Sequence, residues 1–411
     1  MSLKNKIKDS NKSLFSQIVD FIPDHIIQKS ISSHRSDRYC KSYFTRDQLY
    51  ATLFGQLNDC NTLRDITAGF NLNEQFIKDL GMTQSPARST MGDGNKKRDW
   101  QVFEDIFTNL LTYYSRYFSR TEGYKVIKEL QGKVIRIVDS STISLCLSLF
   151  DWARFRTAKG AIKIHTVLDE ETQLPCLINI TQGAVHDKNF MDHISFEKDA
   201  ILVFDKGYYD FATFNRLYDN HTFVTRIKSN SATIVDKENP IDPLYENTIL
   251  SDQVVYYKSQ KAKEKDIDNK PFRVVTVWDS EKLLKLHLLT NNMELPAHLI
   301  GELYKRRWKI ELFFKALKQN FRVKTFLGTS ENAVKSQLYI AIIAFVILEF
   351  LRRHVCKTKH AFKQFVNIIR ICLMQYQCLN YVINDITPIT KSIRIRPNND
   401  IGQLSVNFTI Q

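Results

Sequence analysis

The spacing of apolar residues changes along the chain, and its first region has helical spacing. Up to about residue 95, apolar positions recur at three- and four-residue intervals, as in SLFSQIVDFI and TRDQLYATLFGQL. Thr45 is the expected N-cap of the second of these helices. Gly92 and Gly94 predict a loop, and another helix is expected from about Trp100. Such short helices fit either a DNA-binding helix-turn-helix module or a plain helical bundle.

From about residue 124 the pattern predicts β-strands. β-Branched and apolar residues fill VIRIVD (134–139), IKIHTVLD (162–169) and CLINITQG (176–183), whose spacing allows a three-stranded meander. ILVFD (201–205) is nearly all apolar before its acid, which predicts a central strand. A helical stretch then precedes TFVTRI, the fifth strand. The alternation of strands and helices predicts an α/β fold.

The second half of the chain combines a β-rich segment with helices. Residues 228–292 are polar and strand-like, with a charged loop at KAKEKDIDNK, and they predict an antiparallel insertion. YKRRWKIELFFKALK (304–318) lacks Gly and Pro and predicts one continuous helix. The most apolar run, 338–351, is about 14 residues long and contains Glu349, so we expect a buried core helix and no membrane partner. The tail from residue 390 is basic and is expected to be loosely ordered.

Composition narrows the kinds of binding partner and the cellular compartment expected of the protein. The 411 residues are enough for two or three domains. The formal net charge of +14 favours nucleic acid over a membrane as partner, although a basic protein without such a role has the same charge. Seven cysteines are dispersed without CxxC pairs. They predict reduced thiols and a cytoplasmic location, and neither a disulfide framework nor a zinc knuckle.

Three acidic residues form the candidate chemical site. Asp139 and Asp205 each directly follow an apolar strand, so parallel neighbouring strands would place both at one edge of the sheet. Glu311, on the helix predicted at 304–318, would then pack across that edge. Carboxylates without a His or Cys cluster suit two Mg²⁺ or Mn²⁺ ions and phosphodiester chemistry. Either aspartate taken alone is more simply explained as a turn residue.

The helix predicted around Glu311 has one polar edge. Tyr304, Arg307, Glu311, Lys315 and Lys318 fall within an arc of about 80° at helical spacing. An acid bracketed by cations suits a site that holds a metal ion against phosphate. An adjoining apolar stripe is expected to enter the core; it consists of Leu303, Ile310, Phe314, Leu317 and Phe321.

The spacing of Tyr304, Arg307, Glu311 and Lys318 resembles the YREK signature of the insertion sequence four family of DDE transposases. Further blocks resemble that family's catalytic core over about residues 130 to 330: DSSTISL, DWARFR, KGAIKIHTVLD, GAVHD, VFDKGYYD, FVTRIK and LLTNN. The resemblance implies a ribonuclease-H-like core interrupted by a β insertion. It implies Mg²⁺-dependent cleavage and strand transfer at transposon ends, double-stranded DNA as substrate and a homodimer in the synaptic complex. By position, Asp139, Asp205 and Glu311 are catalytic and metal-binding, and Tyr304, Arg307 and Lys318 contact phosphate.

The resemblance also suggests a division of the chain. The expected segments are a helical N-terminal DNA-binding region (1–95), the first part of the catalytic core (96–227), the β insertion (228–292), the second part of the core with the Glu311 helix (293–350), and a helical C-terminal region with a basic tail (351–411). Some relatives carry a Trp before the LLT block that stacks on a flipped base. This chain has Leu286 and His287 there, which leaves a DNA-hairpin route open. Trp308 is expected to pack in the core.

Further basic residues are candidate DNA or phosphate contacts. They are Arg88, Lys96, Lys97, Arg98, Arg154, Arg156, Lys159, Lys163, Lys206, Arg226, Lys228 and Lys315. For the charges in DWARFRTAKGAIK, ordinary solvated loop charge is an equal alternative. His165 and His186 are expected to make local hydrogen bonds. The alternatives to a transposase are another metal-dependent nuclease on the same core and a non-catalytic DNA-binding derivative.

Overall fold

The N-terminal region is helical, as its spacing predicts. The computed structural model describes residues 11–72, 74–118, 128–156 and 159–384, so the basic tail predicted from residue 390 lies outside the described residues. In these ranges seven helices precede the first strand: α1 (Leu14–Val19), α2 (Asp24–His34), α3 (Thr45–Leu57), α4 (Leu63–Asn71), α5 (Glu74–Asp79), α6 (Arg88–Lys97) and α7 (Gln101–Ser115).

The start of α3 differs from its prediction. Thr45 is the first helical residue and not the N-cap, a position that Phe44 occupies. The Asp47 carboxylate accepts a 2.9 Å hydrogen bond from the Phe44 amide, while the Thr45 amide and hydroxyl both donate to Asp37. Two aspartates therefore accept the first backbone N–H groups of this helix, and the Thr45 hydroxyl donates to Asp37 where an N-cap hydroxyl would accept.

The loop predicted at Gly92 and Gly94 is wrong, because both glycines lie inside α6. A Cβ atom on Gly94 would stand 2.9 Å from the Tyr43 ring, so this glycine allows α6 to pack closely against that side chain. Gly92 has no such crowding, since its nearest neighbour would be 3.9 Å away. Close packing of the helix has overridden the low helix propensity of glycine.

One ten-stranded sheet forms the centre of the described structure. Its strands are β1 (Ile135–Leu145), β2 (Arg154–Arg156), β3 (Lys159–Asp169), β4 (Pro175–Gln182), β5 (Ile201–Phe204), β6 (Thr222–Arg226), β7 (Thr233–Glu238), β8 (Ile249–Tyr257), β9 (Phe272–Asp279) and β10 (Leu284–Thr290). The order is β2-β3-β1-β5-β6-β10-β9-β8-β7, and β4 also pairs with β3. β5 is parallel to both β1 and β6, and the other pairs are antiparallel.

The short strand β5 is central, as its apolar sequence predicts. Its side chains alternate between two hydrophobic clusters on opposite faces of the sheet. Ile201 and Val203 join the larger cluster, which contains α7 and the long C-terminal helix described below. Leu202 and Phe204 pack on the other face with α8 (Asp187–Asp192) and α9 (Phe211–Tyr218). A strand buried on both faces needs a continuous apolar run.

The strands predicted in residues 228–292 are present and belong to the central sheet. β10 pairs with β6 on one side and with β9 on the other, so β7 to β10 extend the core sheet without a break. The segment expected as a charged loop contains a four-residue helix, α10 (Gln260–Lys263), capped by the Ser259 hydroxyl. The insertion and the core therefore share backbone hydrogen bonds.

The helices after the sheet carry the remaining core. They are α11 (Ala297–Arg306), α12 (Trp308–Asn320), α13 (Glu331–Phe350), α14 (Phe362–Cys372) and α15 (Leu379–Asn384), and a π-helical turn at Leu351–Val355 extends α13. The helix predicted without interruption over 304–318 is wrong in that respect, because it breaks at Arg307 between α11 and α12. At the break the Ile310 amide donates a 3.2 Å bond to the Arg307 carbonyl, a tighter turn than the α-helical pattern.

The most apolar run forms a buried core helix, which confirms the prediction. Glu331–Val355 is long and apolar enough to cross a membrane, but 94% of its most apolar stretch is buried inside the protein. Tyr339 on α13 stacks on Trp100, with ring centroids 5.6 Å apart, and its hydroxyl donates a 2.6 Å bond to Glu104 on α7. α13 therefore joins the N-terminal helices to the sheet.

Candidate functional site

The two aspartates lie where β1 and β5 separate. The parallel pairing ends at Val138 opposite Phe204, and Asp139 and Asp205 are the next residues on each strand. Asp139 does not end its strand as predicted, because β1 continues to Leu145 and pairs Asp139 with Thr166 of β3. The parallel register nevertheless places both acids side by side at the C-terminal end of β5, as the sequence predicted.

Arg307 joins the third acid to the first. Its Nη1 donates a 2.8 Å hydrogen bond to Asp139 Oδ2, and its Nη2 donates a 2.5 Å bond to Glu311 Oε1. The break between α11 and α12 falls at this residue. One guanidinium group therefore spans the gap between the β1 carboxylate and the α12 carboxylate.

Asp205 has its own cationic partner. Arg226 at the end of β6 approaches Asp205 Oδ1 to 3.2 Å, and the Tyr304 hydroxyl donates to the same oxygen at 3.5 Å. Arg226 Nε and Arg307 Nε are buried, and neither has a hydrogen-bond partner among the described residues. Each guanidinium therefore keeps a donor that a further acceptor at the site would satisfy.

The charges around Asp139 alter its pKa. Burial raises the pKa of Asp139 to about 6, Arg307 opposes the rise, and the charges of Asp205 and Glu311 add to it. Burial also raises the pKa of Tyr304, which keeps its hydroxyl protonated as a donor. Mutual repulsion of this kind is relieved by a cation placed among the acids.

The donor set fits an oxygen-preferring divalent ion. Among the described residues, no three His, Cys, Asp or Glu side chains stand close enough together to hold an ion as they are placed. At this site arginines contact the carboxylate oxygens instead: Arg307 pairs with Asp139 and Glu311, and Arg226 pairs with Asp205, which leaves the group with an excess of negative charge. Three hard carboxylate ligands are the chemistry that Mg²⁺ and Mn²⁺ prefer.

Two clefts open beside the carboxylates, and both are rimmed by basic side chains. The first, of about 520 Å³, lies against Asp139 and Glu311 and is lined by Lys315, Lys318 and Lys324. The second, of about 600 Å³, adjoins Asp205; its basic lining residues are Lys206, Arg226, Lys228, Lys285 and His287. Sequence reasoning did not single out Lys324 or Lys285 as DNA contacts. Lys285 alternates with leucines along β10, and this alternation indicates from the sequence that Lys285 lies on the polar face of a strand.

The predicted cations near DWARFR occupy different settings. Arg154 is exposed on β2 and Lys159 is exposed at the start of β3, while Arg156 ends β2. Lys163 is engaged within the protein, since its Nζ donates to the Val185 carbonyl at 2.9 Å and lies 3.2 Å from Asp187. The structure therefore leaves Arg154 and Lys159 more available to a polyanion than Lys163.

Arg98 is not placed to contact phosphate, which corrects that prediction. Its side chain is buried, donates to Gln48 and to the Tyr43 carbonyl, and lies 3.7 Å from Asp37. The other predicted cations of this group, Arg88, Lys96 and Lys97, are exposed on α6. Burial among polar partners gives Arg98 a role in packing α3 against α6.

The predictions for Trp308 and His165 have different outcomes. The expected burial of Trp308 is wrong: it is 48% exposed, and the Lys282 ammonium lies 5.0 Å from its ring centroid. His165 is buried and shares a 2.9 Å hydrogen bond with Thr181, which confirms the local bonding expected of it. Burial lowers its pKa to about 4. The predicted apolar stripe beside Glu311 is buried throughout.

Comparisons with known proteins identify the family of the chain. A family model described as a transposase DDE domain matches residues 130–347, and a domain of unknown function matches residues 10–83. y4zB, an assigned transposase of Sinorhizobium fredii, is 30% identical over 79% of this chain and 87% of its own length. A protein of Geobacillus stearothermophilus assigned as the transposase of element IS5377 is 28% identical over 58% of this chain and 62% of its own.

The chain belongs to the DDE transposase family, in the branch of the insertion sequence four type. It is a DNA transposase, an enzyme that cleaves DNA and transfers its strands. A solved piggyBac transposase synaptic complex with hairpin DNA aligns with 90% of this chain and 80% of its own, at a TM-score of 0.42 and 12% identity. The family implies that a divalent metal takes part.

Proposed function

We propose that Asp139, Asp205 and Glu311 are the catalytic carboxylates and that they hold two Mg²⁺ or Mn²⁺ ions during transposition. The observation that carries this proposal is the Arg307 guanidinium, which bonds Asp139 and Glu311 at once beside the β1–β5 edge that carries Asp205. The ions, when bound, would activate the attacking oxygen and stabilise the leaving oxygen of the phosphodiester. The chemistry is cleavage by water at a transposon end, followed by attack of the freed 3′-hydroxyl on target DNA.

The cations of the site act on phosphate in this proposal. Arg307 and Arg226 each carry a buried Nε–H that has no acceptor among the described residues, so each guanidinium has a donor left for a phosphate oxygen. The Tyr304 hydroxyl donates to the same Asp205 oxygen as Arg226 and remains a proton donor. Lys318 lies beside β1, with its Nζ 3.4 Å from the Thr142 carbonyl, and serves as a point charge.

Double-stranded DNA would cross both clefts. The terminal inverted repeat and the target would each follow a basic rim, with Lys315 and Lys324 on one side and Lys206, Lys228 and Lys285 on the other. Arg154, Lys159, Lys96 and Lys97 extend the cationic surface beyond the clefts. Binding that depends on several phosphate contacts weakens steeply as salt rises.

The finer architecture belongs to the same proposal. β4, β3 and β1 form an antiparallel meander, followed by parallel β5 and β6, an arrangement that supports a ribonuclease-H-like core. We retain the five-segment division, with residues 1–95 recognising DNA and 228–292 as an insertion. We also propose that two copies pair the transposon ends and that the enzyme works in the bacterial cytoplasm, at the nucleoid.

Loss of single carboxylates tests the assignment. Asp139→Asn, Asp205→Asn and Glu311→Gln are each expected to abolish cleavage of a terminal-repeat duplex in Mg²⁺ while DNA binding persists. Glu246→Gln, which removes an exposed acid from the β insertion, is the matched control and should cleave at the wild-type rate. Assaying joined products as well as cuts separates a transposase from a simple nuclease. Undiminished cleavage by any of the three variants would remove that residue from the catalytic set.

A further inference from the structure

A buried glutamate lies behind the helix break that carries Arg307. Glu170 directly follows β3 and is 1% exposed. Its amide donates a 3.1 Å hydrogen bond to the carbonyl of Ile135, the first residue of β1. The backbone of Glu170 is therefore tied to the strand that carries Asp139.

The Glu170 carboxylate is bonded to both helices at the break. It accepts a 3.0 Å hydrogen bond from Nη1 of Arg306, the last residue of α11. It also accepts one from Nζ of Lys309, the second residue of α12. Arg306 is 9% exposed, so this cluster of charges is largely withdrawn from water. One carboxylate thus clamps the end of one helix to the start of the next.

The clamp and the catalytic edge lie on different sides of the helical path. Arg306 and Lys309 face Glu170, and Arg307 faces Asp139 and Glu311. Contacts that hold Arg306 and Lys309 in place therefore also set the direction in which the Arg307 side chain points.

We infer that Glu170 is a positioning residue, which holds the break between α11 and α12 so that Arg307 and Glu311 meet Asp139. The inference rests on the catalytic roles proposed above. Without the Glu170 charge, Arg306 and Lys309 lose the partner that they share across the break. Glu302, 3.6 Å from Arg306, lies on α11 itself and does not join the two helices, so the break relaxes toward an uninterrupted helix. Glu170 does not touch the reacting atoms. Its effect reaches them through the placement of α12.

The test compares Glu170→Gln with a matched loss of another buried charge. Asp252 is 4% exposed and accepts bonds of 2.8 and 2.6 Å from Arg273 in the β insertion, so Asp252→Asn also leaves a buried arginine without its counter-charge. Both variants are expected to melt at a lower temperature than the wild type. Glu170→Gln should also lower the single-turnover cleavage rate at saturating DNA at least tenfold. It should weaken Mn²⁺ binding severalfold in calorimetry, with the dissociation constant for DNA within about twofold of wild type. Asp252→Asn should change neither the cleavage rate nor the Mn²⁺ affinity.

Wild-type rate and Mn²⁺ affinity in folded Glu170→Gln would overturn the inference, and so would equal losses of rate in both variants. If Glu170→Gln does not fold, Lys309→Met removes one of the two clamped cations and is read by the same measurements, with a smaller loss expected. The two proposals fail separately. Continued cleavage by Glu311→Gln overturns the proposed function together with the positioning role. An inactive Glu311→Gln beside a fully active Glu170→Gln overturns the positioning role alone.

Discussion

Arg307 donates a 2.8 Å hydrogen bond to Asp139, a residue 168 positions earlier in the chain. The same guanidinium bonds Glu311 on the next turn of helix, so one side chain is shared by two of the three carboxylates. A divalent ion that binds these acids competes with that side chain, because both require the same oxygens.

Removing this competitor should separate metal affinity from activity. In Arg307→Gln without DNA, we expect Mn²⁺ to bind about tenfold more tightly, because breaking a charged hydrogen bond of roughly 1.5 kcal/mol or more no longer opposes it. Cleavage should fall, since the variant lacks the guanidinium proposed to contact phosphate. Isothermal titration calorimetry measures the affinity, and Arg64→Gln, an exposed arginine on α4, is the control. Unchanged or weaker Mn²⁺ binding in Arg307→Gln would contradict the competition.

The raised pKa of Asp139 predicts a pH-dependent loss of stability in the metal-free protein. Its pKa is about 6 in the folded state against 3.8 for an ordinary aspartate, mainly because of burial. Between these values the folded protein holds a proton that the unfolded chain releases. The stabilising effect is therefore full below the lower value and is lost as pH rises through the upper one.

Asp139→Asn removes that titration. From about pH 4 to about pH 7, wild-type protein should lose up to about 3 kcal/mol more unfolding free energy than the variant, since two pKa units correspond to that amount. Urea denaturation of both proteins in chelator, across this pH range, measures the difference. Parallel pH profiles would show that burial of the Asp139 charge does not destabilise the metal-free fold.

Two glycines in the N-terminal helices should respond in opposite directions to alanine. A Cβ atom on Gly69 in α4 would lie 2.5 Å from the ring of Phe54, which is fully buried among Phe15, Phe70 and Phe76. Gly69→Ala should cost roughly 1–3 kcal/mol through overpacking. A Cβ atom on Gly92 would make an ordinary contact with Leu63 at 3.9 Å, so Gly92→Ala should stabilise α6 by up to about 1 kcal/mol. Thermal melting of both variants is the check, and a destabilising Gly92→Ala would argue against the helix at that position.

Local patterns predicted the elements that tertiary contacts do not override. The apolar run of β5, the stripe beside Glu311 and the core helix α13 are placed as their sequences indicate. Each depends on burial, which the sequence records directly as apolar spacing. Asp205 could also be located, because it directly follows the apolar run of β5. The end predicted for β1 at Asp139 was wrong, since β1 continues to Leu145.

The features that the sequence did not reveal depend on distant partners. Arg98 looked like a surface cation beside Lys96 and Lys97, yet Gln48 and the Tyr43 carbonyl bury it. The break at Arg307 coincides with Glu170, which is 136 residues away from Arg306 in the chain. The continuity of the insertion with the core comes from pairing between β10 and β6. Propensity and periodicity carry no information about such non-local bonds.

The most direct test of the central claim is to locate Mn²⁺ in crystals of the protein bound to a terminal-repeat duplex. Anomalous difference maps should show two peaks among Asp139, Asp205 and Glu311, with Arg307 displaced from at least one of its two carboxylates. Glu311→Gln crystals should lose at least one of those peaks. Peaks confined to other acids, or no peak among these three in saturating Mn²⁺, would contradict the account.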